Sequence, residues 1–342
     1  MLEKKKIIWV LQGARTGDNA QARELAAALD ASLILKELQF NGLHHLPNSV
    51  LGASVASLTA PSKTGLQPPW PDMVIAAGKR AAPIALWIKR KSKAQTKTVH
   101  LGRPRARLSA FDLVIATPQY GLPPDANVAE RILPFATPRK VDAHELEKWR
   151  MGWEELPKPL IAVAIGSQKY PLRFGVAEAQ LLGRQLNDLA KQTSSSVLLL
   201  ASPRTDSVLV AHIAAGLQVP HKNYGEFDKI SNPYQSALKL CDRFVVTSDS
   251  VSMISELMNT GKPVDVFELP VAKLRLRWSA RQGFGAWLSR SGILQPPRDV
   301  AGMVRQLIES RAIGALGTES PRKIFHDDEG RTLDRLKNLL KN

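Results

Sequence analysis

The 342-residue sequence predicts an α/β protein of two doubly wound, Rossmann-like domains. Three observations lead there. Short, near-continuously apolar runs alternate with helical patterns, as expected of strands buried on both faces of a parallel sheet. The alternation stops between Pro134 and Pro159, in a polar, proline-bounded stretch, and then restarts. The length exceeds one ordinary core and suits two domains of average size.

The first domain, 1–135, opens with the strand "IIWVLQG", a polar loop and an Ala/Leu-rich helix from Asn19 to Leu29. The strands "LILKEL" and "DMVIAAG", the helix "AAPIALWIKR", and the strands "TVHLG" and "FDLVIAT" follow. Residues 136–159 form the linker, helical only in the middle. The second domain, 160–325, runs through "LIAVAIG", a helix over roughly 176–192, "SVLLLAS", a helix near 207–216, and the loop "HKNYGEFDKISNPY". A short helix, "RFVVTSD", the crossover "TSDSVSMISELMNTGKPV" (247–264) and "PVDVFEL" complete it. Residues 326–342 form a C-terminal helix expected to pack back on the first domain.

A 44% hydrophobic and 23% charged composition is that of a globular chain. The single cysteine, Cys241, excludes a disulfide framework and a cysteine metal site, which suits a reducing compartment. The N-terminus is basic, but its apolar run is only Ile7 to Leu11, and no stretch reaches the roughly 18 apolar residues of a spanning helix. The expected location is cytoplasmic, or peripheral on the inner face of the cytoplasmic membrane.

A formal charge of +16 calls for anionic partners: nucleic acid, phospholipid headgroups or phosphorylated small molecules. Basic clusters lie at 89–97, 102–107 and 273–282. They lack interleaved stacking aromatics, and no nucleic-acid module is present, so nucleic acid is the least favoured partner. The first two clusters are candidates for docking on anionic lipid, which would bring a lipid-linked acceptor within reach.

Open parallel sheets bind ligands beyond the carboxyl ends of their strands, so the loops there carry the candidate residues, on two sheets expected to face a cleft. In "GARTGDNAQA", Gly13 and Gly17 permit a tight turn and Asp18 or Asn19 can cap the helix. In a site, Arg15 would contact an anion and Asp18 would accept a proton. "AAGKRAAP" sets Gly78, Lys79 and Arg80 at a helix start, and "LGRP" offers Gly102 and Arg103 in the same way, an arrangement that suits a bound anion. In the second half, Gly166 allows close backbone approach. Ser202, Arg204 and Thr205 combine a bidentate phosphate donor with hydroxyls, and "GEFDKISNPY" adds Asn232 and Tyr234.

The crossover carries Ser248, Asp249, Ser250, Ser252 and Glu256. Asp249 or Ser250 can cap its helix, and Gly261 with Pro263 ends it. Together these groups suit a nucleotide sugar, with helix-start amides and hydroxyls on the diphosphate and a carboxylate on the ribose hydroxyls. The acidic turn at Asp327, Asp328 and Glu329 reads as helix capping, with no metal and no cofactor besides the donor substrate.

The segment "VTSDSVSMISELMNTGKPVDVFEL", with "GARTGDNAQA", "AAGKRAAP", "SPRT" and "NPY", resembles the elongated-mitochondria fission-factor family over nearly the whole chain. Bacterial members look like glycosyltransferases of the GT-B fold, and plant members act as adaptors in mitochondrial division. The resemblance implies a metal-independent transferase, with the first domain on the acceptor side and the second on the donor side. Helix dipoles and basic side chains would stabilise the leaving diphosphate. A similar segment in more distant GT-B enzymes has its glutamate on the nucleotide ribose, which implies that role for Glu256. Pro203 and Asp265 depart from the pattern, standing where a second basic and an aromatic or apolar residue are expected. The alternative implied is a non-catalytic, membrane-associated adaptor that kept the fold.

Overall fold

The computed structural model describes residues 5–135, 141–168, 170–225, 232–271, 281–293, 295, 297–318 and 329–341, the side chains of Thr16 and Glu329 excepted. The chain divides into two compact units. One is Met1–Ala136 with Arg277–Asp299 and His326–Asn342; the other is Thr137–Leu276 with Val300–Phe325. The stretch read from sequence as one continuous second domain, 160–325, therefore gives up a segment to the first unit.

In the first unit the order is β1 (Ile7–Gln12), α1 (Thr16–Ala27), β2 (Ser32–Glu37), α2 (Asn48–Leu51), α3 (Ala60–Thr64), β3 (Met73–Ala77), α4 (Gly78–Lys91), β4 (Lys97–Leu101), β5 (Leu113–Ala116) and β6 (Val128–Glu130). The strands form one sheet in the order β2-β1-β3-β4-β5-β6, with every neighbouring pair parallel. Side chains of a strand alternate between faces, and both faces here are buried. Trp9 and Leu11 join Val74, Ile84, Ile88 and Phe111 on one side. Ile8 and Val10 join Leu25, Ile75 and Val99 on the other.

The second unit runs α5 (Ala143–Gly152), β7 (Leu160–Ile165), α6 (Val176–Gln192), β8 (Ser196–Ala201), α7 (Ser207–Ala214), β9 (His221–Tyr224), α8 (Tyr234–Leu240), β10 (Arg243–Thr247), α9 (Val251–Met258) and β11 (Val264–Phe267). Next come α10 (Gly283–Ser291) in the first unit, α11 (Val300–Glu309) and β12 (Gly314–Ala315) in the second, and α12 (Glu329–Lys341). The last helix returns Leu336 and Leu340 to the core around Ile8 and Val10. The second sheet is ordered β12-β11-β10-β7-β8-β9, again with parallel neighbours.

β9 falls in a polar run that the sequence reads as loop. It pairs with β8, and Trp153 donates its indole N–H to the Tyr224 hydroxyl at 2.7 Å, so edge position and a tertiary bond override composition. The departure at Asp265 is also explained: its buried carboxylate takes Arg243 Nε and Nη2, each at 2.7 Å.

Each sheet has one topological switch point, where the chain, having moved outward, returns on the other side of its starting strand. In the first it lies between β1 and β3, and in the second between β7 and β10. Connections leave such a point in opposite directions, and open α/β sheets bind ligands at the carboxyl ends there.

Two expected outcomes follow from the packing. A Cβ on Gly183 of α6 would lie 2.5 Å from the Ile213 carbonyl oxygen at the end of α7. Gly183→Ala should push the helices apart and cost about 1–3 kcal/mol, read as a lower denaturation midpoint. His100, fully buried in β4, has Nδ1 3.2 Å from the Gly102 carbonyl oxygen and Nε2 3.2 Å from that of Gly78. Burial lowers its pKa from 6.5 to about 4. Between those values the unfolded chain holds a proton that the folded chain refuses, so stability should fall as pH drops through the window, on the order of 3 kcal/mol in all. Denaturation midpoints from pH 7 to pH 4 should show this slope, and His100→Gln should flatten it.

Candidate functional site

At the switch point of the second unit, β7 is followed by Gly166 and Ser167, and β10 ends at Thr247, with Ser248 and Asp249 after it. The Gly166 amide donates to Thr247 Oγ1 at 2.8 Å. Thr247 Oγ1 donates to Asp249 Oδ1 at 2.7 Å, and Asp249 Oδ2 accepts the Ser167 amide at 3.0 Å. The carboxylate rests on Gly166 so closely that a Cβ there would stand 2.2 Å from both its oxygens, which makes glycine obligatory. This corrects the capping expectation. Asp249 ties β10 to β7, and Ser250, at the N-cap position of α9, makes no side-chain cap bond.

Other hydroxyls are also engaged. Ser248 Oγ accepts the Leu269 amide at 3.0 Å. Thr205 Oγ1 lies 2.7 and 2.8 Å from the carbonyl oxygens of Ile165 and Gly166, accepts the Ser202 amide at 2.8 Å, and sits 2.8 Å from Ser202 Oγ. These residues build the β8 to α7 turn and leave Arg204 exposed on it. Asn232 Oδ1 accepts the Tyr234 amide at 2.9 Å, and its Nδ2 reaches the Ala201 carbonyl at 3.4 Å. The Tyr234 hydroxyl is shut from solvent. Burial, with the Glu256 carboxylate beside it, holds the phenol well above its ordinary range. Two residues 22 positions apart in sequence, Tyr234 and Glu256, are thus brought together. Ser252 is exposed on α9, and α9 carries no acidic residue in its first turn.

The first unit repeats the device at its own switch point. Asp18 Oδ2 would lie 2.8 Å from a Cβ on Gly78, whose φ of 77° already favours glycine. Neither Asp18 nor Asn19 caps α1, because the helix begins at Thr16 with Arg15 at its N-cap. Asn19 instead clasps the loop, accepting the Gly13 amide at 2.8 Å and donating to the Gly13 carbonyl at 2.7 Å. Arg15 is exposed, and Gly17 has open space where a Cβ would stand.

α4 starts at Gly78 with no side-chain cap and no acidic residue in its first turn. Burial, with Arg105 and Arg80 close by, holds Lys79 below its ordinary pKa. Asn48, buried on α2, donates at 2.8 Å to the carbonyl oxygens of both Lys79 and Pro104 and so joins the two basic loops. Arg103 differs from expectation. It heads no helix but is buried, with its guanidinium 5.5 Å from the centre of the Tyr120 ring. Arg80 lies in the first turn of α4, as the sequence suggested, whereas Arg105, Asn48 and His100 were missed as site residues. The local signal for the arginines was present in "GKR" and "GRPRAR", whereas Asn48 sits in a segment with no readable pattern.

Among the described residues no group of three or more His, Cys, Asp or Glu could hold a metal ion. Asp327 and Asp328 lie outside the described residues, as does the side chain of Glu329. No helix among the described residues is long and apolar enough to cross a membrane.

The fold is that of UDP-GlcNAc 2-epimerase from Methanocaldococcus jannaschii, at a TM-score of 0.50 and 11% identity over 98% of this chain and 99% of the other. A family 9 glycosyl transferase from Veillonella parvula superposes with a TM-score of 0.47 and 10% identity over 100% and 99% of the chains. The mitochondrial fission protein ELM1 of Arabidopsis thaliana is 33% identical over 243 residues, 64% of this chain and 56% of the plant protein. The match thus spans little more than half the length of that relative. An uncharacterized protein of Rickettsia prowazekii (strain Madrid E), RP120, is 25% identical over 301 residues, 77% of this chain and 83% of the relative. With the family model described as mitochondrial fission ELM1 matching residues 16–296, the chain belongs to that family, on two doubly wound Rossmann-like units of GT-B type.

Proposed function

We propose that the chain is a metal-independent glycosyltransferase that takes a sugar from a nucleotide-diphosphate donor to an envelope-type acceptor, lipid-linked or saccharide. The observation that carries this reading is the switch point between β7 and β10, where open α/β sheets bind their ligands, with Gly166 at the end of one strand and the uncapped start of α9 after the other. Glu256 stands on α9 beside Tyr234, suited to the ribose hydroxyls, while Ser250, Ser252 and Arg204 suit the diphosphate. In the first unit, Lys79, Arg80 and Arg105 crowd like charges around an uncapped helix start, which favours an anionic acceptor group. Asp18, seated there, would take the acceptor proton, with Arg15 next to it on the loop.

A second reading, a membrane-associated adaptor without catalysis, draws on the family and on Asp249. Its carboxylate lies against Gly166 at the place where a diphosphate would come closest, and its charge opposes an anion. A thermal-shift screen against nucleotides and nucleotide sugars tests the donor binding that the transferase requires, and release of a nucleoside diphosphate from the bound donor on adding acceptor separates it from an adaptor that kept nucleotide binding.

If Glu256 holds the ribose, Glu256→Ala should weaken nucleotide affinity about 10- to 150-fold, the worth of charge-assisted hydrogen bonds of roughly 1.5–3 kcal/mol. An unchanged dissociation constant in the folded variant removes the assignment. Arg204→Lys should lose affinity for a nucleoside diphosphate but little for the bare nucleoside, because lysine lacks the bidentate fork. Calorimetry with both ligands decides, and equal losses would mean that Arg204 supports the loop instead.

A further inference from the structure

The strongest unassigned surface is on α10. Phe284 and Trp287 stand out from this helix 73% and 55% exposed, stacked on each other with ring centres 5.6 Å apart and planes 17° from parallel. Ile293, just past the helix, is 64% exposed. The opposite face is anchored. Ala286 and Ser289 are buried, Arg290 pairs with Asp125 at 2.7 Å, and Arg281 pairs with Glu130. Gly292 meets the Ala106 backbone so closely that a Cβ would come within 2.5 Å of it. The apolar face is therefore held beside the loop 102–107, where Arg105 and Arg107 are exposed.

We infer that this face docks the protein on an anionic lipid bilayer, with Phe284, Trp287 and Ile293 entering the headgroup boundary and Arg105 and Arg107 on the phosphates. Aromatic rings beside basic side chains, on an amphipathic helix of a +16 chain, match the apolar and charged layers of such an interface. The loop 102–107 follows the carboxyl end of β4, at the same sheet edge as Asp18 and Lys79. The run at 89–93, also basic in sequence, belongs to the other edge, since α4 leads from the carboxyl end of β3 to the amino end of β4. Lys89 there is already paired with Asp112 at 2.8 Å. Aromatic insertion, not charge alone, thus sets which surface meets the membrane.

The test is co-sedimentation of the full chain with phosphatidylglycerol/phosphatidylcholine vesicles, paired with quenching of tryptophan fluorescence by brominated lipid. Binding is expected to anionic vesicles and to be much weaker on neutral ones. Phe284→Ser with Trp287→Ser should lower the partition coefficient roughly tenfold or more, about 1.4 kcal/mol per decade, and abolish the quenching. Arg105→Gln with Arg107→Gln should weaken binding and its salt dependence, whereas Lys91→Gln with Lys93→Gln should leave it unchanged. Thermal midpoints confirm that each variant folds. No binding at low salt, or equal binding by the serine variant, overturns the inference. So does lipid-free self-association, or binding to an acidic protein instead of vesicles, that the serine variant abolishes.

Discussion

The carboxylate of Asp249 resting on the backbone of Gly166 is the contact on which the second unit's functional edge depends. Where a parallel sheet reaches its switch point, neighbouring strands stop pairing and their next amides lose ladder partners. Gly166 and Ser167 would be left with two such donors. Thr247 and Asp249 take one each, and a single short bond between the two acceptors makes the set rigid. The start of α9 is fixed as a result, and with it the place where Glu256 meets Tyr234. A larger residue at position 166 would break the contact by sterics alone.

The first unit uses the same economy with different electrostatics. Asp18 sits on Gly78 as Asp249 sits on Gly166, but the next residue is Lys79, which burial first and the nearby Arg105 and Arg80 second hold below its ordinary pKa. Like charges at a helix start are unfavourable to fold around, because they oppose each other and the helix dipole. Asn48 holds the two cationic loops in register through the carbonyl oxygens of Lys79 and Pro104, without neutralising them, and the neutral His100 can donate to only one of the carbonyl oxygens of Gly78 and Gly102 beside it. A scaffold that sets Lys79, Arg80 and Arg105 near one another, with the single Asp18 carboxylate seated on Gly78, keeps an excess of positive charge there.

Family and fold speak to different matters here. The family description concerns mitochondrial fission, and the fold is shared with an enzyme of nucleotide-sugar chemistry. A fold hosts many activities, so neither decides the reaction. What bears on it are the polar residues of the loops and helix starts, of which Ser248, Thr205 and Asn232 are spent on the backbone, while Arg204 is exposed and Glu256 lies beside Tyr234.

The sequence by itself determined the two sheets and the loops that matter. Buried parallel strands must be apolar throughout, so "IIWVL", "MVIAA", "LIAVAI" and "FVV" announce themselves, and polar residues between strand and helix mark the carboxyl edge. Only the tertiary structure decided which polar groups are free. A hydroxyl or carboxylate at a strand end looks the same in sequence whether it meets a ligand or a neighbouring amide, and the neighbouring amide of Asp249 lies 82 residues away. The edge strand β9, the return of α10 to the first unit and the burial of Arg103 have the same origin. Each is set by a partner distant in the chain, and local composition carries no record of that partner.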